Sequence, residues 1–171
     1  MKRFILLSIC CLAGIFMANA QKFALIDMEY IMENIPAYQR ASNELDLASQ
    51  QYQKAIEAKM KEAKALYTAY QKSSSSLSAA QRTQKEEAIV AKEKEAAELR
   101  QKYFGPEGEM AKKEEALIAP IQNQIYEVVK MISQQRGYDA VIDRASATSV
   151  IFASPRIDIS NEVLSKLGYS N

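Results

Sequence analysis

The chain has 171 residues, of which 22 are lysine or arginine and 21 are aspartate or glutamate, for a formal net charge of +1. This balance argues against nucleic acid as a partner, because binding a phosphate backbone requires a strongly basic surface. The sequence contains no histidine and two cysteines, so it has few of the residue types that make catalytic bases, nucleophiles or zinc sites.

The first twenty residues are typical of a secretory signal peptide. A basic start is followed by an apolar run, residues 4–17, and by small residues at 18–20, which suit a signal peptidase. The run is shorter than the roughly 20 residues that span a membrane, although a retained anchor is the alternative interpretation. We predict cleavage after Ala20 and export of the remaining chain.

Cleavage removes both cysteines, because Cys10 and Cys11 lie inside the apolar run, where they are also misplaced for lipid attachment. The mature chain then has 20 basic and 21 acidic residues, and packing or association must stabilise it, since it has no disulfide. Carboxylate pairs such as Glu86 and Glu87 lie in charge-rich helical runs, which are usually solvated helix faces. We therefore predict no catalytic residue, no metal site and no cofactor, and an enzyme is the least favoured class.

A strand, a short helix and a long helix are predicted in that order at the mature start. Residues 23–27 (FALID) are a short apolar run of strand character, and residues 28–36 (MEYIMENIP) predict a helix that ends near Pro36. Residues 37–72 contain no glycine or proline and are rich in strong helix formers. Their apolar residues form one narrow stripe, made of Leu45, Ala48, Tyr52, Ile56, Met60, Ala63, Tyr67 and Tyr70.

A second long helix is predicted from about Leu77 to Tyr103. Its sparse apolar stripe consists of Ala88, Ala91, Ala96, Leu99 and Tyr103. Four serines, residues 73–76, separate the two helices, and a flexible linker between domains is one interpretation of them. A hairpin tip near residues 73–78 is favoured, because neither helix can bury its apolar edge alone and antiparallel pairing buries both.

The predicted hairpin, residues 41–103, is a slim arm. It contains nine leucine, isoleucine, valine or methionine residues against thirteen alanines, so its seam buries little apolar area. The arm carries 11 basic and 9 acidic residues, whereas the rest of the mature chain carries 9 and 12. The arm is therefore the more cationic part of the protein.

The segment FGPEGEM, residues 104–110, interrupts the second helical run. Its Gly-x-x-Gly spacing resembles a phosphate-binding loop, but the Lys-Ser/Thr pair of such a loop does not follow. Pro106 lacks an amide donor and restrains Gly105. A structural kink or hinge is therefore the favoured interpretation, and a denser apolar helix follows it as far as Gly137.

Two strands and a helix are predicted at the end of the chain. Residues 138–143 (YDAVID) and 149–154 (SVIFAS) have strand character and are expected to pair as a hairpin. The last helix is expected to be capped by Ser160 and ended by Gly168. Residues 21–40 and 104–171 together form the predicted body.

Three short strands make a marginal sheet with two unpaired edges, and a long arm on so small a core is a poor monomer. Association of copies through the strands into a closed barrel would cover those edges. The apolar strand residues expected to build this shared body are Phe23, Leu25, Val141, Ile142, Ile151 and Phe152. The fold class is therefore α+β and mostly α, with a long antiparallel helical hairpin on a small β-strand body.

The order of these elements resembles the Skp/OmpH family of periplasmic chaperones. The resemblance is carried by KFALIDMEYIMENIP, the long Lys/Glu/Ala/Gln hairpin, YDAVID and the ending DISNEVLSKLG, and it covers residues 21–171. The segment FGPEGEMAKKEEALIAPIQNQIYEVV resembles the form common in Bacteroidetes members. The resemblance implies a homotrimer with a small β-barrel body and three helical tentacles around a cavity, which holds unfolded outer-membrane proteins in the periplasm without ATP.

Seven arm residues are our candidates for client contact: Tyr52, Tyr67, Tyr70, Leu77, Lys59, Lys64 and Arg82. The tyrosines also fit a purely structural role in the hairpin seam. Well-studied relatives are markedly basic, and this near-neutral chain departs from them, so only a weak contact with membrane or lipopolysaccharide is expected. The alternative function is a structural coiled-coil scaffold or tether of the cell envelope, which would need a more strongly apolar seam than this one.

Overall fold

The computed structural model describes residues 21–147 and 149–169, and the predicted signal peptide and its cleavage after Ala20 lie outside them. Contacts divide the chain into two compact units. We call residues 35–123 the arm unit, and the described residues 21–34, 124–147 and 149–169 the body unit. The predicted limits of the arm, residues 41 and 103, are narrower than those of the arm unit.

The described residues are mostly helical. Two short 3-10 turns, Ser74–Ser76 and Pro155–Ile157, accompany the main elements. In chain order these are β1 (Phe23–Ile26), α1 (Met28–Glu33), α2 (Pro36–Ser73), α3 (Ala79–Phe104), α4 (Glu109–Arg136), β2 (Ala140–Asp143) and α5 (Ser160–Leu167). The predicted α+β, mostly helical class is confirmed.

The body unit has a small core around a two-stranded parallel sheet. β1 pairs with β2 in register from Phe23 opposite Ala140 to Ile26 opposite Asp143. Among the described residues, the largest fully buried side chains all come from this unit: Ile31, Ile125, Ile132 and Val163. Ala24, Leu25, Ile26, Ile159 and Leu164 complete the buried apolar set of the body unit.

The predicted second strand of the C-terminal hairpin is wrong for the single chain. Residues 149–154 form no strand where the structure describes them, and β2 pairs with β1 instead. Ile151 is fully exposed and Phe152 is 84% exposed. Strand propensity reflects packing against neighbours, and the described chain leaves these two side chains almost entirely uncovered.

Local signals place the helix ends of the body unit. The Asp27 side chain caps α1 by accepting a hydrogen bond from the Tyr30 amide at 2.9 Å. Gly137 and Gly168 follow α4 and α5 with φ of 67° and 87°, which glycine adopts without strain. Both predicted helix ends are confirmed.

The predicted cap at Ser160 is wrong, because α5 begins at that residue and its N-cap is Ile159. The Ser160 hydroxyl donates to the Asp158 carboxylate at 2.6 Å and accepts from the Asp27 amide at 2.9 Å. Asp158 also accepts from the Ser160 amide at 2.9 Å. Ser160 therefore links the start of α5 to the end of β1.

The arm unit is an antiparallel helical hairpin, as the sequence predicts. Lys59 of α2 forms an ion pair with Glu95 of α3 at 3.0 Å, and Tyr70, further along α2, donates to Glu86, which lies earlier on α3. The serines lie between the two helices, and Ser78 is the N-cap of α3, where it forms a reciprocal capping box with Gln81. The serines therefore lie where the chain turns between the paired helices α2 and α3.

Small residues dominate the seam between α2 and α3. The buried apolar residues are Ala41, Ala48, Ile56 and Ala63 on α2, with Ile89 and Ala96 on α3. Ala88 and Ala91, which the predicted stripe of α3 included, are exposed. Ile89 is buried in their place, one position along from Ala88.

A tight turn at residues 105–108 separates α3 from α4. The Gly108 amide donates to the Gly105 carbonyl at 2.8 Å. A Cβ atom would stand 2.3 Å from the Gln101 carbonyl oxygen at Gly105 and 2.8 Å from the Tyr103 carbonyl oxygen at Gly108. The predicted interruption is confirmed as a turn in which both glycines allow close approach of the backbone.

Candidate binding surface of the helical arm

One face of the arm hairpin carries an open groove with a volume of about 620 Å³. The groove is lined by Met60, Lys61, Ala63, Lys64, Tyr67, Glu93, Ala96, Ala97 and Arg100. Its floor is shallow because alanines occupy the seam, and the larger side chains stand above it. Met60 and Tyr67 remain 51% and 49% exposed.

A second hollow of about 400 Å³ continues this groove away from the hairpin tip. Its lining consists of Gln53, Ile56, Glu57, Met60, Arg100 and Phe104. Met60 and Arg100 border both hollows, so the two form one continuous surface that we call the arm groove. Phe104 is 40% exposed and adds an aromatic ring to its far end.

Helical periodicity explains why these side chains share a face. Met60, Lys64 and Tyr67 are spaced by four and three residues along α2, so they project on one side. Arg100 and Phe104 are four residues apart on α3 and line the same groove. The exposed apolar area lies between two rows of charged residues, which is the arrangement expected of an interaction site.

The cations of the arm groove have no carboxylate partners within the described chain. Lys61, Lys64 and Arg100 take part in none of its ion pairs. The larger hollow has these three cations and one acidic residue, Glu93, in its lining. Its rim is therefore cationic and available to an anionic group.

The other face of the hairpin carries a network of ion pairs, which we call the ion-pair ladder. Lys59 lies 3.0 Å from Glu95 and 3.7 Å from Glu62. Lys92 lies 3.0 Å from Glu95 and 3.3 Å from Glu62. Hydrogen bonds from Lys59 and then Lys92 lower the pKa of Glu95, and the bond to Glu95 raises the pKa of Lys92.

Aromatic rings and ion pairs hold α2 against the following helices. The Tyr52 ring stacks on Tyr103 and meets the edge of Phe104, with centroids 4.1 Å and 6.2 Å apart. Lys113 of α4 contacts Glu44 of α2 at 2.6 Å, and this bond raises the pKa of Lys113. These contacts stabilise the end of the hairpin that lies away from the serines, where α3 is followed by α4.

The structure places the seven candidate client residues in different environments. Tyr67 and Lys64 line the arm groove, whereas Lys59 belongs to the ion-pair ladder and Tyr52 to the aromatic stack. Tyr70 is half-buried and donates to Glu86, which raises the pKa of Tyr70. The remaining two, Leu77 and Arg82, lie near the tip, outside the lining of the groove.

Of the residues that line the arm groove, only Lys64 and Tyr67 are among the sequence candidates. Met60 belongs to the predicted seam stripe, and Arg100 and Phe104 have no predicted role at a site. A hydrophobic repeat of three and four residues marks one side of a helix, but it does not show which residues on that side are buried in the seam and which are exposed next to it. The exposure of these side chains depends on how α2 and α3 cross.

The residues predicted for a shared body differ in exposure. Phe23 and Ile142 are 45% and 39% exposed, and Ile151 and Phe152 are more exposed still. Val141 is half-buried, whereas Leu25 belongs to the core of the single chain at 4% exposure. The body unit thus presents large exposed apolar side chains, and no described strand pairs with the outer edge of β2.

No helix among the described residues is both long and apolar enough to cross a membrane. Within the same residues, no group of three or more acidic side chains is arranged to hold a metal ion.

Comparisons with known proteins agree with this architecture. The model of the family described as Outer membrane protein (OmpH-like) matches residues 22–167. A crystal structure from Caulobacter crescentus, described as a proposed outer membrane chaperone (OmpH-like), matches with a TM-score of 0.65 and 14% identity. The match covers 86% of this chain and 83% of that one, and at this identity it shows the fold alone. No curated protein matches the sequence significantly.

Proposed function

Because the chain belongs to the OmpH-like family of outer membrane proteins, we propose that it is an ATP-independent holdase chaperone. It acts in the periplasm on unfolded outer-membrane proteins, after removal of the signal peptide. A holdase needs no catalytic residue, since it withdraws unfolded chains from aggregation by binding them.

The observation that carries this proposal is the arm groove. Met60, Tyr67 and Phe104 expose apolar surface along one face of the hairpin, and small alanines below them leave room for a ligand. The groove is open and shallow, so each contact is weak. Weak contacts suit a chaperone that must release its client.

We propose further that the functional form is a homotrimer built through the body unit. Exposed Ile151 and Phe152 and the open edge of β2 offer apolar surface and unpaired backbone groups to other copies. Three chains would supply three arms around one cavity. Their weak contacts with one client would add by avidity, because each further contact forms at high effective concentration.

A light-scattering assay tests the proposal. An outer-membrane barrel protein is diluted from urea, alone and with a stoichiometric amount of the mature chain. We expect suppressed aggregation, with weaker suppression by Met60→Asp/Tyr67→Asp. Leu47→Asp/Val90→Asp is the matched control, because both residues are 60% exposed and lie outside the groove lining. Unchanged aggregation in the presence of the wild-type protein would exclude the holdase function.

A further inference from the structure

The side chains of the arm groove repeat at a spacing close to that of an extended polypeptide. Ile56, Met60, Ala63 and Tyr67 follow one another along α2 at intervals of three or four residues. From Ile56 to Tyr67 the helix rises about 16 Å over three intervals, and three same-face intervals of an extended chain span about 20 Å, so the two repeats differ by little more than 1 Å per interval. An extended segment lying along α2 can therefore place successive same-face side chains against successive groove positions.

The groove is also long enough for a segment of this kind. Its lining on α2 runs from Gln53 to Tyr67, a rise of about 21 Å. This length corresponds to roughly six or seven extended residues. A segment with alternating apolar and polar residues would direct its apolar face at the alanine floor and its polar face at the rim or solvent.

The rim gives this segment a preferred charge. Lys61, Lys64 and Arg100 have no ion-pair partner in the described chain, whereas Lys59 and Lys92 on the other face are both paired with glutamates. An anionic ligand can therefore pair with the groove cations without breaking an internal ion pair. A cationic ligand would meet three like charges and one carboxylate, Glu93, in the larger hollow, and the second hollow adds one carboxylate, Glu57. The cations of the whole arm groove therefore outnumber its carboxylates by three to two.

We propose that the arm groove selects extended client segments whose apolar residues alternate with polar residues that include carboxylates. This specificity rests on the proposed holdase function and assigns a substrate class to the same surface. A polypeptide is favoured over an anionic lipid surface because the apolar residues lie in a narrow groove whose repeat is close to that of an extended chain. A flat lipid surface would not use that repeat.

The test measures binding of labelled peptides to the full mature protein by fluorescence anisotropy. The probe has roughly ten residues, the length of a membrane-barrel strand, with apolar residues alternating with serine and aspartate. A second peptide has lysine in place of aspartate. The groove variant is Lys64→Glu/Arg100→Glu, and the control variant, Lys54→Glu/Lys72→Glu, makes the same charge change at residues outside the groove lining.

We expect the groove variant to bind the aspartate peptide at least about tenfold more weakly, and the control variant to change binding by less than about twofold. The lysine peptide should bind the wild type more weakly than the aspartate peptide does. Higher salt should reduce the difference between the two peptides. Lys64→Gln/Arg100→Gln should lose less affinity for the aspartate peptide than the groove variant does. If circular dichroism shows that the groove variant is misfolded, the glutamine variant replaces it in the comparison.

Three outcomes overturn the proposal. They are equal losses in the groove and control variants, equal binding of the two peptides, and binding of anionic vesicles that depends on Lys64 and Arg100 while the peptide does not bind.

The aggregation assay separates this proposal from the holdase function. If the wild type suppresses aggregation but shows no peptide preference, only the proposed specificity fails. If the wild type does not suppress aggregation, the holdase function fails. The peptide titration then still shows whether the arm groove prefers the aspartate peptide.

Discussion

The ring of Tyr52 lies parallel to the ring of Tyr103, with centroids 4.1 Å apart and planes inclined by 6°. This stack joins α2 to the last turn of α3, at the opposite end of the hairpin from the serine tip. Burial, followed by a hydrogen bond with Glu109, raises the pKa of the Tyr52 hydroxyl above 10.0. One side chain thus links α2 to both of the helices that follow it.

The stack predicts an alkaline transition of the arm. Because the folded state holds the Tyr52 proton more tightly than the unfolded state, this stabilisation is complete below the ordinary pKa of 10.0 and is lost as the pH rises through the higher folded pKa. Tyr52→Phe keeps the ring and removes the titrating hydroxyl. Above pH 10, the thermal midpoint of this variant should therefore fall less than that of the wild type. Thermal melts followed by circular dichroism measure the effect. Tyr126→Phe, whose ring is 61% exposed, should behave as the wild type, and an unchanged alkaline profile in Tyr52→Phe would refute the prediction.

The ion-pair ladder predicts sensitivity to acid and salt. Lys59 and Lys92 lower the pKa of Glu95, so the stabilisation is present above the ordinary value of 4.5 and is lost as the pH falls through the lower folded pKa. At neutral pH and low salt, Glu95→Gln should lower the thermal midpoint by roughly 1–3 °C, since exposed pairs contribute little. The difference should shrink in high salt and at low pH.

Glu98→Gln is the control for this prediction. Glu98 forms an exposed pair with Lys94 at 3.8 Å, so its substitution should change the midpoint less than Glu95→Gln does. A salt-independent difference between Glu95→Gln and the wild type would show that the ladder acts by packing rather than by charge.

The hairpin could be predicted from the sequence because its signals are local. A long run without glycine or proline, four serines and a second charged run are enough to predict two paired helices, whatever the rest of the chain does. The stripe of α3 was less predictable, because charged residues surround few apolar ones. Ile89 is buried and Ala88 is exposed, a shift of one position that the sparse pattern did not resolve.

The arm groove was only partly predictable for a geometric reason. Lys59 and Lys64 are both lysines on the same helix, but five residues at about 100° each place them roughly 140° apart. The sequence does not say which side of the seam α3 leaves open. The strand predicted at residues 149–154 failed for a related reason, because a strand requires a partner, and the described chain supplies none for Phe152.

The core of the body unit should be sensitive to the loss of a single side chain. Ile132 is fully buried, so Ile132→Ala should lower the free energy of unfolding by about 2–5 kcal/mol through lost burial and a residual cavity. Urea denaturation followed by circular dichroism measures this loss. Met131→Ala is the neighbouring control, because Met131 is 43% exposed and should cost less than about 1 kcal/mol. Equal costs at the two positions would contradict the assigned core.

Asp143 should stabilise the start of α1. Its Oδ1 accepts hydrogen bonds from the Met28 and Ala145 amides, each at 3.1 Å. Burial alone would raise the pKa of Asp143, but the bonds from Met28, Ser146 and Ala145 outweigh it and lower the pKa below 3.8. Asp143→Ala should therefore cost about 1 kcal/mol of unfolding free energy near neutral pH, because two amides lose their acceptor.

The sign of this effect with pH follows from the lowered pKa. The stabilisation is present above 3.8 and is lost as the pH falls through the lower folded value, so the mutant and the wild type should converge in acid. Asp143→Asn keeps an acceptor oxygen without the charge and should cost less than Asp143→Ala. Urea titrations at several pH values measure both comparisons, and a difference that persists in strong acid would count against the carboxylate's role.

Self-association through the body unit predicts that Phe152 is covered in the assembled protein. Its side chain is 84% exposed in the single chain, beside the fully exposed Ile151, and burying such a residue contributes roughly 1.5–3 kcal/mol per copy. Phe152→Asp should therefore shift a trimer towards monomer at micromolar concentration in sedimentation velocity experiments.

Tyr126→Asp, at a residue that is 61% exposed and outside the predicted shared body, is the control and should stay trimeric. Because Phe152 contributes nothing to the core of the single chain, a monomeric mutant should keep its helical circular dichroism spectrum. A wild-type chain that sediments as a monomer at all concentrations would eliminate the proposed trimer.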